Sequence, residues 1–200
     1  MRTVANTLSV GAFSLLELLV VLVLLIVLTV LSAGRFTTSA RRREVAACQG
    51  NLEKIFLALS LYRADNSAYP ALPDARLSEE PLSLLVPKST TDTEIFLCPA
   101  SQDNPLPQGE RFGGGRISYA YYMGRAPNAN PQDVLLSDWQ VDRAPKKTGQ
   151  PVFSLDGKKP GNNHGANGGN LLSCAGSVSL SGAKAEQDLL FPPSVRLLNP

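Results

Sequence analysis

The stretch FSLLELLVVLVLLIVLTVLSAG, residues 13–34, carries one ionisable side chain, Glu17, in an otherwise apolar run. As a helix rising about 1.5 Å per residue it would be about 33 Å long, against a bilayer core of about 30 Å. The run therefore predicts a transmembrane helix segment. A carboxylate on such a segment costs on the order of 2.5–3.5 kcal/mol near the bilayer centre, so Glu17 calls for a partner. A polar leader, MRTVANTLSV, and then Gly11-Ala12 precede the run. A secretory signal peptide would have a shorter apolar core ending in a small-residue cleavage site. Leu31-Ser32-Ala33 matches that loosely, but the run is too long and the helical pattern continues past it.

Downstream, no proline occurs before Pro70. Val45, Cys48, Leu52, Ile55, Leu59 and Tyr62 recur at spacings of three and four, one apolar stripe on an amphipathic helix. Arg43, Glu44, Gln49, Glu53, Lys54 and Arg63 fall on the opposite, solvated side. The polar turn ADNSAYPAL ends this helix at Tyr69-Pro70.

Beyond Asp65 short apolar runs alternate with Pro and Gly. Glu79–Leu85 reads as a short helical turn with Pro81 near its start. Strands are expected at Glu94–Cys98, Ile117–Met123, Val134–Ser137, Pro151–Ser154, Asn170–Cys174 and Ser177–Leu180. Long polar loops cover Pro99–Arg116 and Asp138–Gly149. With leader and apolar run set aside, about 165 residues remain, enough for one domain with a real core. The net charge of +2, with no basic patch interleaved with aromatics, argues against nucleic acid as a partner.

Gly11, Phe13 and, four residues on, Glu17, opening a long apolar helix, resemble the prepilin-type cleavage/methylation signal of type IV pilins and type II secretion pseudopilins, with one departure: the Gly usually stands directly before the aromatic, and Ala12 intervenes here. Further along, AACQGNLEKIFLALSLYRADNSAYP, IFLCPAS, ISYAYYMG and NNHGANGGNLLSCAGSV resemble segments of pseudopilin-like proteins. The last departs from its pattern: Ala175 stands where an Asp is usual and Ser177 where a second His is usual. Gly176 can still make the tight turn between two strands.

The resemblance implies an α+β, pilin-like fold: a long N-terminal helix, transmembrane then amphipathic, packed on a small antiparallel β-sheet. It divides the chain into a leader peptide (1–12), a transmembrane segment (13–34), an amphipathic helix half packed on the sheet (35–66) and a C-terminal periplasmic β-rich domain (67–200). It implies a structural subunit of a type II secretion pseudopilus, made as a membrane-inserted precursor and cleaved and N-methylated by prepilin peptidase at Gly11, Ala12 and Phe13. Cleavage after Ala12 makes Glu17 the fifth mature residue; cleavage after Gly11 makes it the sixth. Glu17 would then set assembly register by pairing with the terminal ammonium of a neighbouring subunit, where low dielectric makes an unpaired charge costly.

The implied partners are prepilin peptidase, other pilin or pseudopilin subunits, the inner-membrane assembly platform and membrane lipid. The implied location is the bacterial inner membrane, single-pass, then a periplasmic pseudopilus or surface filament. Charge counting points the other way: Arg2 alone precedes the run, while Arg35, Arg41, Arg42 and Arg43 follow it, which would keep the C-terminal part in the cytoplasm. A type IV pilus pilin is the alternative within the class. An uncleaved, membrane-anchored periplasmic binding or sensor domain is the alternative outside it.

Catalysis is not expected. Ser137-Asp138 with His164 is the one triad-like set of residue types, without a Gly-x-Ser-x-Gly context. His164 reads as an exposed turn residue. No cofactor is expected beyond a structural calcium, for which Asp133, Asp138, Asp142 and Asp156 are available loop donors that form no recognised calcium loop. Of three cysteines, Cys48 and Cys98 are the favoured disulfide, tethering helix to strand; the alternative is that Cys48, Cys98 and Cys174 are all buried packing residues.

Overall fold

The computed structural model describes residues 14–101, 103–104, 106–113 and 117–200, and the side chains of all of these except 32–41. The chain divides into two compact units, one ending at Ala40 and the other spanning Arg41–Pro200. Helix α1 runs Leu15–Asn66. Asn66 ends it by donating its side-chain amide to the Tyr62 carbonyl at 2.8 Å, and Ser67 follows in the left-handed region with φ 56°. That is the usual helix exit, here made without the usual glycine.

The expected membrane-spanning segment over 13–34 is corrected: among the described residues no helix is long and apolar enough to cross a membrane. The large apolar side chains of Leu15–Leu31 stand beside a single carboxylate, Glu17. These side chains are exposed, from 46 % at Val21 to 82 % at Leu15.

The second unit is α+β. After α1 come helix α2 (Glu79–Leu82), continued by a 3-10 turn at Ser83–Leu85, and a second 3-10 turn at Glu94–Phe96. Five strands follow: β1 (Tyr119–Met123), β2 (Val134–Asp138), β3 (Gly169–Ser173), β4 (Val178–Ser181) and β5 (Arg196–Leu198). They form one antiparallel sheet in the order β4-β3-β2-β1-β5. A two-fold alternation along β1 explains why all five of its residues are buried. Tyr119, Tyr121 and Met123 join the core that holds Cys48, Leu52, Ile55 and Leu59 of α1. Ala120 and Tyr122 face a second core made with Val152, Phe153, Leu189 and Val195 from the loops. Both faces of the sheet are therefore covered.

Two strand expectations change, and one further strand appears. Within Glu94–Cys98 the first three residues, Glu94–Phe96, form a 3-10 turn, because Asp92 accepts from the Glu94 N–H and Thr93 O from the Phe96 N–H, while Ile95 and Phe96 bury within the turn. Pro151–Ser154 contributes only an isolated bridge, Pro151 to Lys184; proline has no N–H to give a ladder. The terminal strand β5, absent from the sequence reading, pairs with β1 through Tyr121–Leu198 and Met123–Arg196.

Candidate functional site

Four titratable side chains from four distant segments converge beneath the sheet. Cys48 comes from the buried stripe of α1 and Cys98 from the turn after the Glu94–Phe96 3-10 segment. Asp138 closes β2, and His164 stands in the glycine-rich turn before β3. All four are buried, and one ligand atom from each lies within 4.8 Å of the others. Strand alternation places Asp138 here: it shares the face of Leu136, which packs in the helix-side core.

The geometry is specific. Cys48 Sγ donates to Asp138 Oδ1 at 3.1 Å and lies 3.2 Å from the Tyr119 hydroxyl. His164 Nε2 lies 3.2 Å from Asp138 Oδ2 and 3.7 Å from Cys98 Sγ. The Asp138 carboxylate is held from behind: the Asn170 backbone N–H donates to Oδ2 at 2.6 Å, the Asn170 side chain at 3.0 Å, and Asn163 donates to Oδ1 at 3.2 Å. His164 Nδ1 and Asn170 Oδ1 have no hydrogen-bond partner among the described residues.

These contacts couple the ionisations. Burial, the hydrogen bond with Cys98 and the negative charge of Asp138 push the Cys48 thiol up. The Cys48 hydrogen bond brings Cys98 down to about 6 against the opposing effect of burial, with help from His164. At His164 burial favours the neutral ring, but Asp138 and Cys98 outweigh it and raise the imidazole to about 10.

A nucleophile–base–acid relay would place Cys98 and Asp138 on opposite imidazole nitrogens. Here both approach Nε2, which is the arrangement of groups facing a common centre. Ser137 takes no part: its hydroxyl donates to the Asp138 carbonyl and accepts from Gln140. Neighbours on β2, Ser137 and Asp138 point to opposite faces.

The expectation of His164 as an exposed turn residue is corrected, since it is 6 % exposed and lies among donors. Cys48 and Cys98 are brought together and stand as free thiols, as does half-buried Cys174. Of the acidic loop residues, Asp133 pairs with Arg125 at 2.8 Å, Asp142 with Lys146, and Asp156 accepts from Ser154 and the Lys158 N–H. Glu17 is exposed on α1, while Gly11, Ala12 and Phe13 lie outside the described residues. Asn163, Asn170 and Tyr119 were not singled out in the sequence; the signal for Asn170 was its place one residue into the strand that pairs with β2. No family model, curated protein or solved structure matches the chain.

Proposed function

We propose that the chain is a structural subunit of a type II secretion pseudopilus, with the type IV pilus as the alternative assembly. The observation that carries the reading is the exposed apolar run of α1. From Leu15 to Leu31, Glu17 is the only charged side chain, and the large apolar residues are about half exposed or more. A continuous apolar patch far larger than a few hundred Å² needs cover. The same segment of sibling subunits supplies it, helix against helix, in a filament.

Within such a bundle Glu17 is the register device. Prepilin peptidase cleavage beside Phe13 frees an α-amino group, and the Glu17 carboxylate of one subunit meets the ammonium of the next. Pairing removes two costly charges at one axial offset and penalises every other offset. The partners in this reading are prepilin peptidase, sibling subunits and the assembly platform.

Intact-mass and N-terminal peptide analysis of the protein from its native cells tests the reading. The expected mature chain begins at Ala12 or Phe13 and carries one added methyl group. A stable population beginning at Met1, in cells whose prepilin peptidase is active, overturns it in favour of an uncleaved binding or sensor domain.

A further inference from the structure

We propose that Cys48, Cys98, Asp138 and His164 form a closed, four-ligand site for one borderline-soft divalent cation of the zinc class. The site is independent of the filament reading, because all four residues lie in the Arg41–Pro200 unit.

Geometry carries the argument. A tetrahedral ion with bonds of about 2.0–2.3 Å sets its ligand atoms roughly 3.3–3.8 Å apart. The separations here are 3.1 Å for Cys48 Sγ to Asp138 Oδ1, 3.2 Å for His164 Nε2 to Asp138 Oδ2 and 3.7 Å for Cys98 Sγ to His164 Nε2, and one ligand atom from each of the four residues lies within 4.8 Å of the others. Closing the widest of these separations, at most 4.8 Å, would bring one atom from each residue onto one centre. Two sulfurs, an imidazole nitrogen and one carboxylate oxygen make a donor set for zinc and its neighbours; calcium and magnesium want oxygen alone.

The surroundings are those of a held ligand set. Asn170 and Asn163 fix the carboxylate by three hydrogen bonds, as outer groups do around metal ligands. Nε2 lies among the other three donors and 3.4 Å from the Asn170 side-chain amide, while Nδ1 has no hydrogen-bond partner among the described residues. A cleft of about 390 Å³ has Asn51, Lys54, Asp92, Leu97 and Cys98 among its lining residues. A Cys48–Cys98 disulfide is the competing use of the two sulfurs. It would account for neither the burial of Asp138 nor the aim of Nε2.

Binding is proton-balanced. The cation enters as M²⁺, each donor atom that carries a proton, the Cys48 thiol among them, releases it to solvent, and no oxidant or reductant takes part. With no open position the ion is structural, clamping α1 to β2 and to the turn before β3.

The full chain, purified in mild detergent under reducing, metal-free conditions, is titrated with Zn²⁺ against a chromophoric chelator and separately with Co²⁺. The expected result is one ion per chain, with thiolate-to-cobalt charge-transfer bands and tetrahedral d–d bands. Cys98→Ser and His164→Ala should abolish those bands, Asn170→Ala should weaken binding about 10–100-fold, and Cys174→Ser should leave it unchanged. Because the ligand variants risk misfolding, the spectrum of the unaltered chain decides. No stoichiometric Zn²⁺ binding at micromolar free metal, or cobalt spectra without thiolate bands, overturns the site. So does a Cys48–Cys98 disulfide as the dominant state in protein taken from cells with thiols trapped.

Discussion

Gly176, in the turn between β3 and β4, stands directly against Phe56 of α1: a Cβ at Gly176 would lie 2.5 Å from Phe56 Cε1. Its φ of 86° is also one that side chains resist. Gly176→Ala is therefore expected to lower the unfolding free energy by about 1–3 kcal/mol, combining left-handed strain with overpacking. Gly50→Ala is the contrast. That glycine is inside α1 with nothing within 4 Å of a new Cβ, so alanine should stabilise by about 0.5–1 kcal/mol. Urea titrations followed by Trp139 fluorescence read both, and equal effects of the two changes would discredit the contact.

Ser67 holds a left-handed exit that glycine adopts without strain. Ser67→Gly should raise the melting temperature by a few degrees, equivalent to less than about 1 kcal/mol because glycine also frees the unfolded chain. A fall in melting temperature would show that the serine hydroxyl has a role that its backbone angle does not convey.

Asp138 is the buried charge around which the cluster is ordered. In metal-free protein, Asp138→Asn turns one oxygen that accepts from Asn170 or from Cys48 and Asn163 into a donor facing donors. The expected loss is about 3–5 kcal/mol, the range for breaking a buried ion pair from one side. A loss below about 1 kcal/mol would mean that the surrounding amides re-form elsewhere at little cost.

Acid should loosen the loops over the second sheet face. The Lys146 ammonium and the Ala144 N–H hold Asp142 below the usual carboxylate range, overcoming the opposing effect of burial. The Thr148 N–H and hydroxyl do the same for Asp188. Both folded values are depressed, so their stabilisation is present above the unfolded pKa of about 4 and is lost as pH falls through the folded values. Amide exchange at Lys146, Gly149 and Leu189, corrected for intrinsic rate, should accelerate below about pH 4. An Asp142→Asn, Asp188→Asn double variant with the same acid profile would remove these carboxylates as the cause.

Glu17→Gln preserves shape and removes charge. The variant is expected to be cleaved normally but to enter filaments poorly when co-expressed with the unaltered chain. Incorporation in proportion to its expression would show that the charge does not set register.

What could be read from sequence was periodic. The stripe Cys48, Leu52, Ile55, Leu59 announced a buried helix face, and short apolar runs between Pro and Gly announced the three central strands within a residue or two, as Ile117–Met123, Val134–Ser137 and Asn170–Cys174. The Glu94–Cys98 segment misled because three successive apolar residues bury equally well in a tight turn, and the choice fell to Asp92 and Thr93 capping it. β5 was hidden by brevity: three residues have no period, and only the open edge of β1 makes them a strand. The cluster was illegible as a whole since its members carry no mutual spacing. Cys48 on the inward stripe pointed to the interior, but Asp138 reads as the first residue of a polar loop; only its place as the last residue of β2, paired with Tyr119, turns it toward that helix.

Cys48 and its acceptor Asp138 are 90 residues apart in the chain. Their contact is thus a late event: long loop closure precedes it, and the glycine-rich turn bearing His164 has yet to be made when the helix already exists. During synthesis the Cys48 thiol passes through an interval with neither carboxylate nor imidazole beside it, open to whatever oxidant its compartment holds. The order of emergence, helix first and turn last, makes this thiol a clock for folding, whose trapping by a fast alkylating agent dates the moment the sheet closes over α1.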